Sequence, residues 1–285
     1  ESDSGGFDTA IPGSDTSSPS DTAGGADTGD NPTETVPGLE DPGHTWDQLY
    51  AQDKFPEFEI TLSDEAIEDL RLDPYTYVSG SFVYRPEDGE EVHLNNVGVR
   101  LKGRASFQPI DDKPGLKIKF DEYVDDQDLL DLRRLTLNNM VQDPSMVRER
   151  MGYLAFAAAG APAPLCNHAW VLMNGEPKGL YANLQTLDDQ FVESQWDPAP
   201  GNLYDTTNEV YFTDFEPGSE PYFILETNQD ENDTSDLTAL IDAVNGPIDS
   251  YMDDAATMLD WDTVLLNGAV QAIIADWDGY FGAIN

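Results

Sequence analysis

The stretch that decides the fold is VGVRLKGRASFQPIDDKPGLKIKF, residues 97–120. Its last six residues, GLKIKF, alternate between apolar and cationic side chains, which predicts a strand with two chemically different faces. One face would carry Leu116, Ile118 and Phe120, and the other Lys117 and Lys119. Because a half-buried strand turns one face to water, the two lysines either point to solvent or meet an anionic ligand.

Strand patterns continue on both sides of this stretch. The further predicted strands are FEITLS (58–63), SGSFVYR (79–85), NNVGVRLKGR (95–104) and RRLTLNN (133–139). The turn Glu87-Asp88-Gly89 joins the second and third of these as a hairpin, and Asn174-Gly175-Glu176 predicts another hairpin further along. These patterns indicate a mostly antiparallel sheet.

Helical patterns follow mainly in the second half of the chain. One short helix, capped by Ser63, comes after the first strand, and the other predicted helices are 146–160, 187–196, 236–246 and 260–277. The last helix is apolar on most sides and is predicted to be buried. This order of elements indicates the α+β class, with a mostly antiparallel sheet lobe packed with a helical lobe.

Positive charge is concentrated in one region of a very acidic chain. The 285 residues carry a formal net charge of −42, yet ten of the fourteen lysines and arginines lie between Arg100 and Arg150. They are Arg100, Lys102, Arg104, Lys113, Lys117, Lys119, Arg133, Arg134, Arg148 and Arg150. Nucleic acid is excluded as a main partner because it needs a broad basic face. The cluster instead predicts a local anion site, with a polyphosphate as the first candidate.

Composition also divides the chain at about residue 45. Residues 1–45 are rich in Ser, Thr, Asp, Gly and Pro, which predicts a disordered acidic linker, and residues 46–285 form the folded domain. No apolar run approaches the ~18 residues that span a bilayer. Such a linker suits an exported bacterial protein, secreted or tethered at the cell surface, although intracellular acidic tails have a similar composition.

Two further features each allow an ordinary and a functional interpretation. Cys166, the only cysteine, lies among apolar residues and is either a small buried side chain or a reactive thiol. The segment NQDENDTSD (228–236) resembles a calcium loop. It lacks that loop's glycine at position six and glutamate at position twelve, so a solvated acidic loop is favoured.

Three groups of residues could form one phosphate-handling site. Gly103 allows close backbone approach, and Arg104 and Ser106 can donate to phosphate oxygens together with a lysine from the next strand. The helix start after Asp143 presents free amides, although this aspartate is more typical of a helix cap. The other cations of the cluster are expected mainly to neutralise local acids or to face solvent: Lys113, Arg133, Arg134, Arg148 and Arg150.

The third group lies in DWDGYFGAIN, residues 276–285. Protein kinases use an Asp followed several residues later by an Asn: the Asp orients the acceptor hydroxyl and takes its proton, and the Asn holds magnesium. Asp276, Asp278 and Asn285 fit that order. A helix end that runs into an Asp-Gly turn would contain the same residues.

As a series, these segments resemble the CotH family of atypical protein kinases, first known from bacterial spore coats. The segments that carry the resemblance are VGVRLKGRAS, KPGLKIKF, LTLNN, DPSMVRERMGYLAF, GAPAP, VLMNGEPKGLYANLQTLDDQFV, GNLY and DWDGY…N. They run in order from about Phe55 to Asn285. The resemblance implies a divergent protein kinase-like fold, ATP with Mg²⁺ or Mn²⁺, and transfer of the γ-phosphate to Ser or Thr of a secreted, surface or spore coat protein.

The resemblance also implies roles for individual residues. Lys117 matches the nucleotide-binding lysine, Gly103 through Ser106 with Arg104 the phosphate-side loop, Asp278 the catalytic aspartate and Asn285 the metal-binding asparagine. Gln185 stands where the family usually has a glutamate that pairs with the lysine. A glutamine can hydrogen-bond Lys117 but cannot neutralise it. Family members continue to a further metal-binding aspartate, so the chain resembles a truncated domain.

Three hypotheses of different classes follow. The first is an exported CotH-like kinase that acts on a surface or coat protein. The second is a non-catalytic surface or coat scaffold that binds a nucleotide without turnover, which Gln185 and the truncation would favour. The third is a calcium-dependent or carbohydrate-binding adhesion module, for which the acidic loops are the only sequence feature.

Overall fold

The computed structural model describes residues 44–196, 201–206, 214–247, 249–277 and 279–281. The strands are β1 (Glu57–Leu62), β2 (Val78–Arg85), β3 (Val92–Lys102), β4 (Gly115–Lys119), β5 (Arg134–Asn138), β6 (Cys166–Met173), β7 (Glu176–Gln185), β8 (Tyr204–Thr206) and β9 (Phe223–Leu225). The helices are α1 (Asp64–Leu72), α2 (Arg148–Ala159), α3 (Asp189–Gln195), α4 (Ser235–Val244), α5 (Tyr251–Ala255) and α6 (Trp261–Ile274). Residues 1–43 lie outside the described residues, so the disordered linker stays a prediction.

The first seven strands form a closed barrel in the order β1-β2-β3-β4-β5-β7-β6. Neighbours pair antiparallel except β1 and β6, which pair in parallel and close the barrel. The predicted divergent protein kinase-like fold, with a mostly antiparallel sheet lobe packed with a helical lobe, is therefore wrong. A sheet whose two ends pair has no free edge, and its apolar face is covered by its own strands rather than by a layer of helices. The α+β class is only broadly consistent with this architecture.

The barrel interior is the main hydrophobic core. Phe58, Phe82 and Phe120 are fully buried there, with ring centroids 5.3 Å apart for Phe58 and Phe82 and 5.3 Å for Phe82 and Phe120. The predicted alternation of β4 is confirmed, because Leu116 and Ile118 lie in this core while the lysines between them do not. The sequence pattern thus assigns the inner face of β4 correctly.

The turn between β6 and β7 helps to close the barrel. Asn174 and Gly175 have φ values of 51° and 80°, the left-handed conformation that favours Asn-Gly in a tight hairpin. The Asn174 side chain also accepts a hydrogen bond from the Leu62 amide at 2.8 Å and donates one to the Leu62 carbonyl at 3.0 Å. This contact fastens the hairpin to the end of β1, beside the parallel pairing of β1 with β6.

The C-terminal helices differ from the prediction in their burial. In α6 the side chains of Leu265 and Ile273 are 63% and 83% exposed, so the expected burial of this helix is wrong. The helix packs against α2 along one side, and only Val270 and Gln271 are buried within its described length. No helix in the described segments combines the length and the apolar character needed to cross a bilayer.

Candidate functional site

The outer face of β3, β4 and β5 carries a row of cations. In the strand register Arg100 lies beside Lys117, and Lys117 lies beside Thr136 of β5. Their neighbours along each strand point into the barrel, so the alternation of side chains places these residues together on the outside. Lys102 and Arg134 occupy the same face at the two ends of the row.

A groove runs over this face and is bordered by residues of β8 and by Glu226, which follows β9. One part, of about 180 Å³, is lined by Arg100, Lys117 and Arg134. The adjoining part, of about 280 Å³, is lined by Lys102 and Lys117 and by apolar side chains of β7 and β8. Lys117 and Glu226 line both parts, and Asp205 lines the second. The groove is therefore lined by cations and by three carboxylates, of which Asp188 is already paired with Arg134 while Asp205 and Glu226 lie on the β8–β9 side.

Lys117 is the central cation of this groove. Within the described residues it has no hydrogen bond and no ion pair within 4 Å. Burial, and next the charge of Arg100, lower the pKa of Lys117, while Glu226 and Asp205 act in the opposite direction. A half-buried ammonium without a direct partner is costly, and an anion bound in the groove would compensate that cost.

A polar network at the Lys102 end was missed by the sequence analysis. Lys102 Nζ donates to Asn138 Oδ1, and Asn138 Nδ2 donates to Glu149 Oε1 at the start of α2. Burial lowers the pKa of Lys102 to about 8, although the charge of Glu149 acts to raise it. Burial likewise raises the pKa of Glu149. Asn138 and Glu149 were visible in the motifs, but no sequence pattern shows that a strand end and a helix start meet.

Several other cations of the cluster pair with local acids, as predicted. Arg133 binds Asp189 at 2.5 Å, and Arg134 binds Asp188 at 3.2 Å. Arg148 lies 3.5 Å from Asp143. Lys113 instead donates to the Leu180 carbonyl at 2.7 Å and Arg150 to Gln52, so these two are held by neutral groups. Arg133, Arg134 and Arg148 are thus already neutralised, whereas Arg100, Lys102 and Lys117 line the groove with no carboxylate of the described residues within 4 Å.

The predicted phosphate-side loop lies directly after β3. Gly103 has φ +112°, and a Cβ at this position would come within 3.0 Å of Ser106 Oγ, so the turn requires glycine. Ser106 is half-buried and lines a cavity of about 300 Å³ together with Lys102, Asn138 and Glu149. Arg104 is exposed. The structure therefore brings Ser106 next to the cationic row.

Gln185 lines the second part of the groove with Lys117, but its side chain does not bond that lysine. In the register it pairs with Leu135 on the face that points away from Lys117, Thr136 and Leu184. Its amide accepts from the Leu165 N–H at 3.1 Å and donates to Ser194 Oγ at 3.4 Å. Gln185 is buried, and its amide is engaged with Leu165 and Ser194 rather than with Lys117.

The predicted catalytic Asp278 and metal ligand Asn285 lie outside the described residues. Asp276, two residues before Asp278 in sequence, is described and lies just after the end of α6. Burial has the largest effect in raising the pKa of Tyr153, and the charges of Glu149, Cys166 and Asp276 raise it further. Tyr153 therefore lies within electrostatic reach of both the Lys102 network and the residues that follow α6.

The remaining candidates have ordinary structural roles. Asp143 precedes α2, whose N-cap is Val147, and its carboxylate accepts from the amide of the first helix residue, Arg148, at 2.8 Å and from Ser145. Partial burial acts to raise the pKa of Asp143, but these hydrogen bonds outweigh it and lower the pKa to about 2. Cys166 is buried, and burial raises its pKa, which favours the inert thiol. In the suggested calcium loop, Asp236 accepts hydrogen bonds from Tyr204 and Asn202.

Comparisons with known proteins agree with the motif series. The family model described as CotH kinase protein matches residues 99–284, which include the cationic strands and the C-terminal helices. The inner spore coat protein H-like protein of Bacillus subtilis (strain 168) is 38% identical over 60 residues, which are 21% of this chain and 20% of that protein. Inner spore coat protein H of the same organism is 32% identical over 60 residues, 21% of this chain and 17% of that protein. The matched segments thus span about a fifth of each relative's length. Because the family model covers well over half of the chain, this protein belongs to the CotH kinase protein family.

Proposed function

We propose that this protein is an ATP-dependent protein kinase that transfers the γ-phosphate to Ser or Thr of a coat or surface protein. The observation that carries the proposal is the groove in which Lys117 lies half-buried beside Arg100 without a directly bonded acid. Triphosphate oxygens are suitable partners, because several charge-assisted hydrogen bonds can form at once. The family's description as kinase proteins supports the same reading.

The groove suggests an orientation for the nucleotide. Its phosphates would lie over Arg100 and Lys117, where the cations are concentrated. The nucleoside would extend along the part lined by apolar and aromatic side chains: Leu184, Leu187, Leu203 and Tyr204. An apolar wall with a few charged groups at one end is the usual form of a small-molecule site.

The divalent metal that accompanies ATP fits the residues present. Mg²⁺ takes oxygen ligands and is often held by one or two carboxylates together with phosphates. Asp205 and Glu226 supply carboxylates on the wall opposite Lys117, and Asn285 is the ligand predicted from sequence. When bound, the metal would neutralise phosphate charge.

The chain's own residues would position the transfer. Lys117 and Arg100 hold the phosphates, and Asp278 orients the acceptor hydroxyl and accepts its proton. The acceptor oxygen then forms a bond to the γ-phosphorus as the bond from that phosphorus to the β-phosphate oxygen breaks, leaving ADP. The spore coat relatives suggest a coat protein as acceptor and the coat as location. Export, with the N-terminal linker as a flexible tether at the cell surface, belongs to the same proposal.

Incubation of the full-length protein with labelled ATP, Mn²⁺ and a Ser-rich basic peptide tests the activity. We expect incorporation by the wild type and a loss of roughly 10²–10⁴-fold in Asp278→Asn, the range for removal of a general base. Asp253→Asn is a matched control, since this aspartate is exposed on α5. Equal incorporation by Asp278→Asn would refute that residue's role. ATP binding without any transfer would favour the scaffold instead.

A further inference from the structure

We infer that Lys102 is a second phosphate-binding lysine and that Glu149, acting through Asn138, is the residue that positions it. This inference rests on the proposed function and adds Lys102 of β3, Asn138 of β5 and Glu149 of α2 to the nucleotide site. It does not depend on Gln185, whose amide bonds Leu165 and Ser194.

The hydrogen bonds of the network fix the orientation of each group. The Asn138 carbonyl oxygen accepts from the Lys102 ammonium, so the Asn138 amide nitrogen must face the opposite way. That nitrogen donates to the Glu149 carboxylate. An asparagine has one acceptor end and one donor end, and here each end meets a charged partner of the matching kind. The chain of contacts therefore holds the ammonium at one place on the outer face.

The position of Lys102 is suited to a ligand in the groove. It lines the same cavity as Lys117 and also the neighbouring cavity that contains Ser106. An ammonium has three N–H donors, and within the described residues Lys102 uses one of them, toward Asn138. Two donors remain for phosphate oxygens, at the junction between the cationic row and the Gly103 loop.

The charges around Lys102 come from three elements. Arg100 of β3 and Lys117 of β4 lower its pKa, and Glu149 of α2 raises it, with burial as the largest effect and a resulting pKa of about 8. Glu149 in turn is affected by Lys102 and Asp143. Because the folded-state pKa is depressed, Lys102 is charged below about pH 8 and loses its proton above it. Its contribution to anion binding should therefore fall as the pH rises through about 8.

The experiment combines a titration of Lys102 with ATP affinity in the 285-residue chain. The Lys102 side chain is followed by ¹³C NMR, assigned with Lys102→Arg, and ATP affinity is measured by calorimetry between pH 6.5 and 9.5. We expect the wild type to lose about tenfold in affinity across pH 8. In Glu149→Gln the midpoint of the Lys102 titration should move to lower pH. The pH at which ATP affinity falls should shift by the same amount.

Controls separate positioning from general damage to the fold. In Glu149→Asp the midpoint of the Lys102 titration should return close to the wild-type pH. Glu122→Gln removes a carboxylate that lies 2.7 Å from Lys119 of β4, and it should leave the Lys102 midpoint unchanged. If Glu149→Gln does not fold, Lys102→Met is used instead. This variant should bind ATP more weakly than the wild type, and its ATP affinity should no longer fall near pH 8.

The outcomes distinguish this inference from the function on which it rests. Normal ATP binding with an unmoved Lys102 midpoint in Glu149→Gln overturns the role of Glu149. Normal affinity and an unchanged pH profile in Lys102→Met overturn the role of Lys102. Absence of ATP binding by the wild type contradicts the proposed function itself and the phosphate contact with it.

Discussion

Lys117→Met is expected to weaken ATP binding about 10- to 150-fold. A hydrogen bond to a charged group is worth roughly 1.5–3 kcal/mol, and each 1.4 kcal/mol is a factor of ten in affinity. Lys117 lines both parts of the groove and lies next to Arg100, whereas Lys119, the other cation of β4, is already paired with Glu122 at 2.7 Å. Calorimetry with ATP and Mg²⁺ on wild type and variant measures the change.

Loss of affinity in this variant must not come from loss of structure. Methionine keeps the length of the apolar stem, and removal of a half-buried charge without a direct partner should leave the melting temperature equal or higher. Lys178→Met is the control, because this lysine of β7 donates to the Asp112 carbonyl at 2.8 Å outside the groove. Equal ATP affinities for wild type and Lys117→Met would show that Lys117 does not bind the phosphates of ATP.

Phe82→Ala should lower the free energy of unfolding by about 3–5 kcal/mol. Phe82 is fully buried, and its ring packs against Phe58 and Phe120 from different strands of the barrel. The substitution leaves a cavity at the centre of the core that the surrounding β-sheet cannot easily fill. Domains of this kind are stable by only about 5–15 kcal/mol, so the variant should unfold at much lower urea concentration.

The same substitution at an exposed phenylalanine provides the comparison. Phe55 is 41% exposed, just before β1, and Phe55→Ala should cost well under half as much. Urea unfolding followed by tryptophan fluorescence gives both values. Similar losses for the two variants would mean that the three phenylalanines do not form the core of a closed barrel.

The individual strands could be predicted because their signals are local. Alternation in GLKIKF separates the inner Leu116 and Ile118 from the outer lysines, and Asn174-Gly175 has the backbone preference of a hairpin turn. The closure of the barrel could not be predicted in this way. It depends on the parallel pairing of Glu57 with Trp170 and the residues that follow, and alternation within a strand does not reveal its distant neighbour.

The candidate site was predicted in part for the same reason. Strand alternation is enough to place Lys117 outside the barrel, and the turn after Lys102 is marked by Gly103. The position of Gln185 is harder to infer, because β7 is covered on both faces and its residues from Tyr181 to Gln185 are all buried. The partnership of Asn138 with Glu149 joins a strand to a helix, which only the folded chain shows.

The cluster of positive charge in this acidic chain has two components. Arg133, Arg134 and Arg148 lie close to carboxylates and help to join the barrel to the segments around it. Arg100, Lys102 and Lys117 share the outer face and have no carboxylate within ion-pair distance in the described residues. Net charge alone could not separate these groups, since the distinction depends on which face of a strand each residue occupies.

Labelling with an acyl-phosphate derivative of ATP tests the central claim most directly. This probe transfers its acyl group to a lysine amine near the bound phosphates and releases ATP, and mass spectrometry identifies the modified residue. We expect modification of Lys117 or Lys102, suppressed by excess ATP. Two results would contradict a nucleotide site on the outer face of the barrel. One is labelling confined to Lys113, Lys178 or Lys54. The other is labelling of Lys117 and Lys102 that excess ATP does not reduce.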